Sequence, residues 1–380
     1  MRIKLAAAVA LSLLTTGNIP FFATQARAEK AGTAPTETIT LFSAGITAGS
    51  GPEDIVTGPD GDLWFTQQET DEIGRLNPRT GAITEYPVPA ANAGVNSGPF
   101  GITVGPDGNL WFTEIASNQI GRLNPWTGTV TKFSAGLSPG SKCQSSISSG
   151  PAPFGITAGH DGNLWFTEFC GDRIGRINPW TGTITEFSAG LSPGNTCRPA
   201  VNTSTIGTFP SWITEGPDRK LWFTEFCGNK IGAIDPWTGT ITEYSTGISP
   251  SSAPPGSGPD GITTGPDGNI WFAQEIGNEI GRLNPWTGTI TEYSTGISPS
   301  AGPIKITSGP DGNLWFTEDS GGGGLAQVNP WTGTITELNP ALASGSFPVG
   351  ITAGPDRNIW FTEYDGNVIG RLTLTEGGHR

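Results

Sequence analysis

Seven times along the chain a short apolar run meets a turn built on Asp or Gly, and an aromatic segment follows it. In 98–134, GPFGITVG is the apolar run, PDGN the turn, and LWFTE the aromatic segment. IGRL then precedes the turn NPWTG, and TVTKF alternates β-branched with polar residues. Alternation of this kind, bounded by turn chemistry every few residues, predicts short antiparallel strands. The marker tryptophans Trp64, Trp111, Trp165, Trp222, Trp271, Trp315 and Trp360 are spaced 47, 54, 57, 49, 44 and 45 residues apart. No stretch carries the 3.6-residue periodicity of an amphipathic helix. Four strands per unit and seven units predict an all-β fold, a seven-bladed β-propeller of four-stranded blades. The seventh unit stops at IGRLTLTEGGHR without an outer strand, whereas ETITLFSAGI (37–46) has that strand's pattern at the other end. The ring is therefore expected to close by the N-terminal strand pairing into the last blade, which removes two open sheet edges.

The first residues place Arg2 and Lys4 before an apolar run, Leu5 to Leu14, and end in Ala26-Arg27-Ala28. That is the order of a secretory signal peptide. The expected division is signal peptide 1–28, short linker 29–36, propeller 37–374 and tail 375–380. The expected destination is the periplasm or the exterior. The run is too short to span a bilayer, and no later segment qualifies. Removing 1–28 takes the formal charge from −14 to −17, which argues against nucleic acid as a partner. A monomer is expected. Four cysteines in an exported chain suggest disulfides. Cys170 and Cys227 share the context T-E-F-C-G in consecutive blades, and Cys143 and Cys197 lie in the long loops entering those blades. Only Cys143–Cys170 with Cys197–Cys227 repeats one geometry twice. A metal site is the weaker alternative, because neither C-x-x-C spacing nor a nearby histidine supports it.

Each inner strand opens with proline and one variable residue, so Glu53, Phe100, Phe154, Ser211, Asp260, Ile304 and Val349 are expected around one mouth of the central channel. Function grafted onto a repeated scaffold would vary there. Glu53 and Asp260, nearly opposite, could act as a carboxylate base, share a divalent cation, or simply be solvated. The repeated W-F-T-E glutamates and I-G-R arginines are expected to be partly solvated structural positions. Trp126, Trp180, Trp237, Trp286 and Trp331, in the far-face turns, are expected to pack between blades rather than to form a sugar-stacking ring. The two histidines are His160 in the turn GHDG and His379 in the Gly-Gly tail. Neither is placed for a catalytic triad.

The repeated P-x-G-I-T…G-P-D-G-N-L-W-F-T-E…N-x-I-G-R-L…G-x-I-T-E-Y pattern, over nearly the whole chain past residue 28, resembles the virginiamycin B (streptogramin B) lyases. Phe209-Pro210-Ser211-Trp212-Ile213-Thr214 is similar to that family as well. The resemblance implies a seven-bladed propeller and a magnesium-assisted elimination that opens a cyclic depsipeptide at its ester bond. Carried over residue by residue, it implies that Ile304 stands where the family has a substrate-binding histidine. Phe347-Pro348-Val349 then stands for a metal-binding Glu, a Pro and the general-base His. Glu363 matches a second metal ligand, but Glu114, Glu168, Glu225 and Glu318 occupy the same repeat position. The expectation is thus a ligand- or partner-binding protein, taking a small molecule or a protein at a mouth lined also by Phe347. The alternatives are a carbon–oxygen lyase using Glu53 or Asp260 as base and a metal-dependent lactonase-type hydrolase. No cofactor is firmly expected; magnesium enters only through the resemblance.

Overall fold

The computed structural model describes residues 37–90, 96–139, 150–192, 196–197, 205–249, 256–320, 323–338, 342 and 346–374. The expected signal peptide, linker and tail lie outside them, as do Cys143, His379 and the side chain of Cys197. Seven four-stranded antiparallel sheets form the ring, and a two-stranded ribbon, Thr196–Cys197 with Thr205–Ile206, precedes blade four. The inner strands are Pro52–Thr57, Pro99–Val104, Pro153–Ala158, Pro210–Glu215, Pro259–Thr264, Pro303–Ser308 and Pro348–Ala353. Each packs on the next, and the first packs on the last. Closure is as expected: Thr38–Phe42 pairs antiparallel with Val368–Thr373 and completes blade seven. No helix among the described residues is long and apolar enough to cross a membrane.

The repeated phrase G-P-D-G-N-L-W-F-T-E now has a physical account. Each tryptophan is buried on the interface with the next blade; Trp64, for example, packs with Leu110, Phe112 and Leu123. An indole buried there still needs an acceptor for its N–H. The turn aspartate four residues earlier supplies it, from Trp64 to Asp60 at 3.0 Å through Trp360 to Asp356 at 2.9 Å, in all seven blades. Burying each ring contributes about 4–6 kcal/mol gross of hydrophobic free energy before entropy is counted.

The I-G-R arginines do not pair with the W-F-T-E glutamates. Arg75, Arg122, Arg176, Arg282 and Arg371 lie over the tryptophan rings at 5.3–5.7 Å. Arg75 also bonds Asp60 and Asp62. Two expectations are corrected. The W-F-T-E glutamates are buried rather than partly solvated, because they end the second strand of each blade, an interior strand between the first and third. The NPWTG tryptophans do not pack between blades: they stand 69–72% exposed. Their turns project from the sheet end, and the glycine of each turn, not the indole, meets the preceding blade's aromatic. Cys170 and Cys227 are buried and neither is a free thiol. Their expected partners' side chains fall outside the described residues.

Candidate functional site at the channel mouth

All seven inner strands carry a bulge directly after their proline. Pro52 pairs with Gln67, but the next register is Ile55 with Phe65, so Glu53 and Asp54 together face Thr66. A bulge re-aims side chains, and this one recurs at the channel mouth in every blade. A threonine stabilises it: Thr66 Oγ1 accepts from the Asp54 N–H at 3.0 Å and donates to the Phe100 carbonyl of the next blade at 2.6 Å. The same bridge recurs from Thr113, Thr167, Thr224, Thr317 and Thr362. Blade five has Ala273 there and no hydroxyl to offer.

The second bulge residue is the one sequence reasoning passed over. It is glycine in four blades, and an added Cβ at Gly101 would come within 2.5 Å of the Phe154 carbonyl. In the other three it is Asp54, Trp212 and Lys305, from blades one, four and six. These three converge across the ring. Lys305 Nζ lies 3.2 Å from Asp54 Oδ1 and 2.9 Å from the centroid of the Trp212 ring. Asp54 Oδ2 also accepts from the Ile102 N–H at 3.0 Å. An ammonium paired on one side and seated on an aromatic face on the other links blades one, four and six as a floor below the strand starts. The signal was present: three departures from glycine at an otherwise glycine position.

Around this floor the mouth has two unlike halves. On blades two to four, Phe100 and Phe154 lie 4.2 Å apart, and Trp212 is 5.3 Å from Phe154. Phe169 stacks on Phe154 and meets Phe209 edge-on, both at 5.1 Å. Phe209 adopts φ 52°, a position that four sister blades fill with glycine. A non-glycine there costs on the order of 1–3 kcal/mol, offset here by burying its ring with Phe169, Phe226 and Cys227. Phe169 and Phe226 come from the cysteine-bearing T-E-F-C-G loops, so those loops support the aromatic half. Ser211 is buried beside this half; Ile304 and Val349 are buried, and Phe347 half-buried, at the remaining strand starts.

The other half is acidic. Burial pushes the Glu53 carboxyl up to about 8, with Asp54 adding and Lys305 opposing. Burial pushes Asp260 up to about 7; Lys305 and a hydrogen bond from Trp212 oppose that, and Asp319 adds to it. Asp319 rises to about 6 through burial, and Glu275 rises well above its usual range through burial and then Asp319 and Asp260. Burial draws Lys305 down, while Asp54, Asp260 and Glu53 hold it up. Glu53 is buried and Asp260 half-buried, and both interact electrostatically with Lys305.

Glu363 stands apart. It pairs across from Pro348, is buried, and rises to about 7 through burial alone. Its Oε1 has no hydrogen-bond partner within the protein, but neither has the Oε1 of Gln67, Glu114, Glu168, Glu225, Gln274 or Glu318. An oxygen orphaned alike in all seven blades, two of them with glutamine, does not mark a metal position in one. Phe347 and Val349 offer no donor atoms. Among the described residues no group of three His, Cys, Asp or Glu is arranged to hold a metal. The residues present do not fit the magnesium that the resemblance implies. His160 is half exposed on the opposite face, 3.7 Å from Glu215.

Comparison with known proteins agrees with this architecture. No curated protein matches the chain. A catalytically inactive histidine-to-alanine variant of virginiamycin B lyase from Staphylococcus aureus, solved with quinupristin, is 34% identical over 90% of this chain and 100% of that one, with a TM-score of 0.72. A streptogramin B lyase structure is 33% identical over 89% and 98%, also with a TM-score of 0.72. An extracellular domain from B. thetaiotaomicron shares the fold alone, at 15% identity over 88% of this chain and 42% of that one, with a TM-score of 0.66. The model of the virginiamycin B lyase family matches residues 4–151, 142–256 and 195–378, and with those two lyases it shows that the chain belongs to the virginiamycin B lyase family.

Proposed function

We propose that the chain is an exported, ligand-binding member of its family. Its channel mouth takes a small amphipathic molecule, laying an apolar or aromatic face on Phe100 and Phe154 and a hydrogen-bonding group against Glu53 and Asp260. The observation that carries this reading is the Lys305 floor: the ammonium between Asp54 and Trp212 separates an aromatic half from an acidic one. An apolar lining with a few convergent polar groups suits small-molecule recognition. The apolar side chains of Ile304, Phe347 and Val349 cannot supply the substrate-binding histidine, the metal ligand and the general base that the resemblance assigns to those positions. Export rests on the N-terminal sequence pattern.

Quinupristin is the first probe. Incubated with the protein and magnesium, it should keep its intact mass, and calorimetry should give saturable binding weakened at least about tenfold, or 1.4 kcal/mol, by Phe154→Ala. Absence of binding would sink the choice of ligand chemistry. A second reading is favoured by the raised Glu53 carboxyl beside an ammonium: elimination with a carboxylate base. Glu53 would take a Cα proton, the C–H pair would become a C=C bond, and the neighbouring C–O pair would leave on a carboxylate, with Lys305 offsetting enolate charge. Linearised quinupristin, lost on Glu53→Gln, would select that reading.

A further inference from the structure

We propose that the face opposite the mouth is a platform for an uncharged polysaccharide, built from Trp126, Trp180, Trp237, Trp286 and Trp331. The inner strands start at the mouth and successive strands alternate, so the turn between third and fourth strands lies at the far end. Blades two to six each present one indole there, 69–72% exposed. Blade one has Arg79 instead, and blade seven takes its third and fourth strands, Val368–Thr373 and Thr38–Phe42, from distant parts of the sequence with no such turn between them, so the five form one arc. An isolated exposed aromatic would need no explanation; five on consecutive repeats form an ordered set.

The turns that carry the indoles are held at their backbone. In blade two, Asn124 Oδ1 accepts from the backbone N–H of Trp126 at 2.9 Å and from that of Thr127 at 3.0 Å, and Asn178, Asn284 and Asn329 repeat this. Asp235 does the same in blade four. Each turn also packs its glycine against the preceding blade's aromatic, as Gly128 does on Tyr86. Fixed turns reduce the ordering cost of binding.

The chemistry around each indole selects the partner. Hydroxyls flank it: Thr127 and Thr129 are hydrogen bonded at 2.9 Å, and the pairs Thr181–Thr183, Thr238–Thr240, Thr287–Thr289 and Thr332–Thr334 match. The turn aspartates on this face point inward to the buried indoles. A flat apolar ring beside neutral hydroxyls complements a pyranose, whose C–H face is apolar and whose edge carries hydroxyls. A net charge of −14 works against anionic lipid and phosphate polymers. One repeated site per blade suits a repeating polymer, where linked weak contacts gain roughly 10²–10⁴ in avidity.

Affinity electrophoresis through gels containing hydroxyethylcellulose, glucomannan, soluble starch or glycol chitin tests this with the intact protein. Retardation by at least one polymer is expected. It should be reduced about tenfold in Trp180→Ala/Trp237→Ala and abolished when all five are alanine, with thermal melting unchanged because the indoles are exposed. Trp180→Phe/Trp237→Phe should retain part of the retardation. Passage through every gel without retardation overturns the proposal, as does retardation unaffected by the five substitutions. Binding to phosphatidylcholine vesicles that is lost in the five-fold variant, without polysaccharide binding, would also overturn it and assign the face to a bilayer.

Discussion

Single residues set the electrostatics of the mouth and of the blades. Lys305→Met leaves Asp54 buried without its cation, which costs about 3–5 kcal/mol when one partner of a buried pair is removed. Urea denaturation should show that loss, and Asp54→Asn in the Lys305→Met background should recover part of it. Additive losses would mean that the 3.2 Å pair carries no coupling. The W-F-T-E position gives a second case. In blades one and five Gln67 and Gln274 donate to Glu85 and Glu292 at 2.7 and 3.0 Å, and in blade two Lys132 meets Glu114 at 2.7 Å. In blade six two acids meet: Glu318 rises to about 7 through burial and then through Glu337. A folded-state value above the usual 4.5 means that the native state binds more protons than the unfolded chain across that window. The contribution is therefore fully present below about 4.5 and is lost as pH rises through 7. Glu168, at about 8, acts in the same direction. Glu318→Gln should raise stability at pH 8 by on the order of 2 kcal/mol and flatten the fall between pH 5 and 8. Thermal melts at the two pH values decide it; equal gains at both would show that titration is not the cause.

At the scale of elements, the N-terminal strand bears the closure. Thr38–Phe42 covers the edge of Val368–Thr373, and Phe42 stacks on Trp360 at 5.3 Å. Deleting 29–46 should expose that edge and lower the melting temperature by several degrees or cause aggregation, while deleting 29–36 should leave it near the parent. Scanning calorimetry of the two truncations separates them, and equal melting would contradict a closing role for the strand. Strand order and this closure were legible in the sequence because each blade's signals are local: turn residues, alternation and one tryptophan. The W-F-T-E burial was not, because a glutamate at a strand end reads as solvated until its strand is seen to be an interior one of a ring of packed blades.

For the whole molecule, the ring and the cysteines concern how it holds together. The pairing Cys143–Cys170 and Cys197–Cys227 would close loops of about 30 residues, worth on the order of 3 kcal/mol in the chain-entropy model. Peptide mapping without reduction should return those two bonds; Cys170 joined to Cys227 would contradict them. By itself the sequence determined the seven blades, the closing strand and which residues vary after each proline. All follow from patterns repeated within about 50 residues. Only the tertiary structure decided that Asp54, Trp212 and Lys305 meet. They lie in blades one, four and six, and only a closed ring whose bulges turn them inward brings their side chains together. The exposure of the five turn tryptophans was decided there too. An indole in a turn has the same local sequence whether it packs or projects, and the neighbouring blade already fills the space it would have packed into.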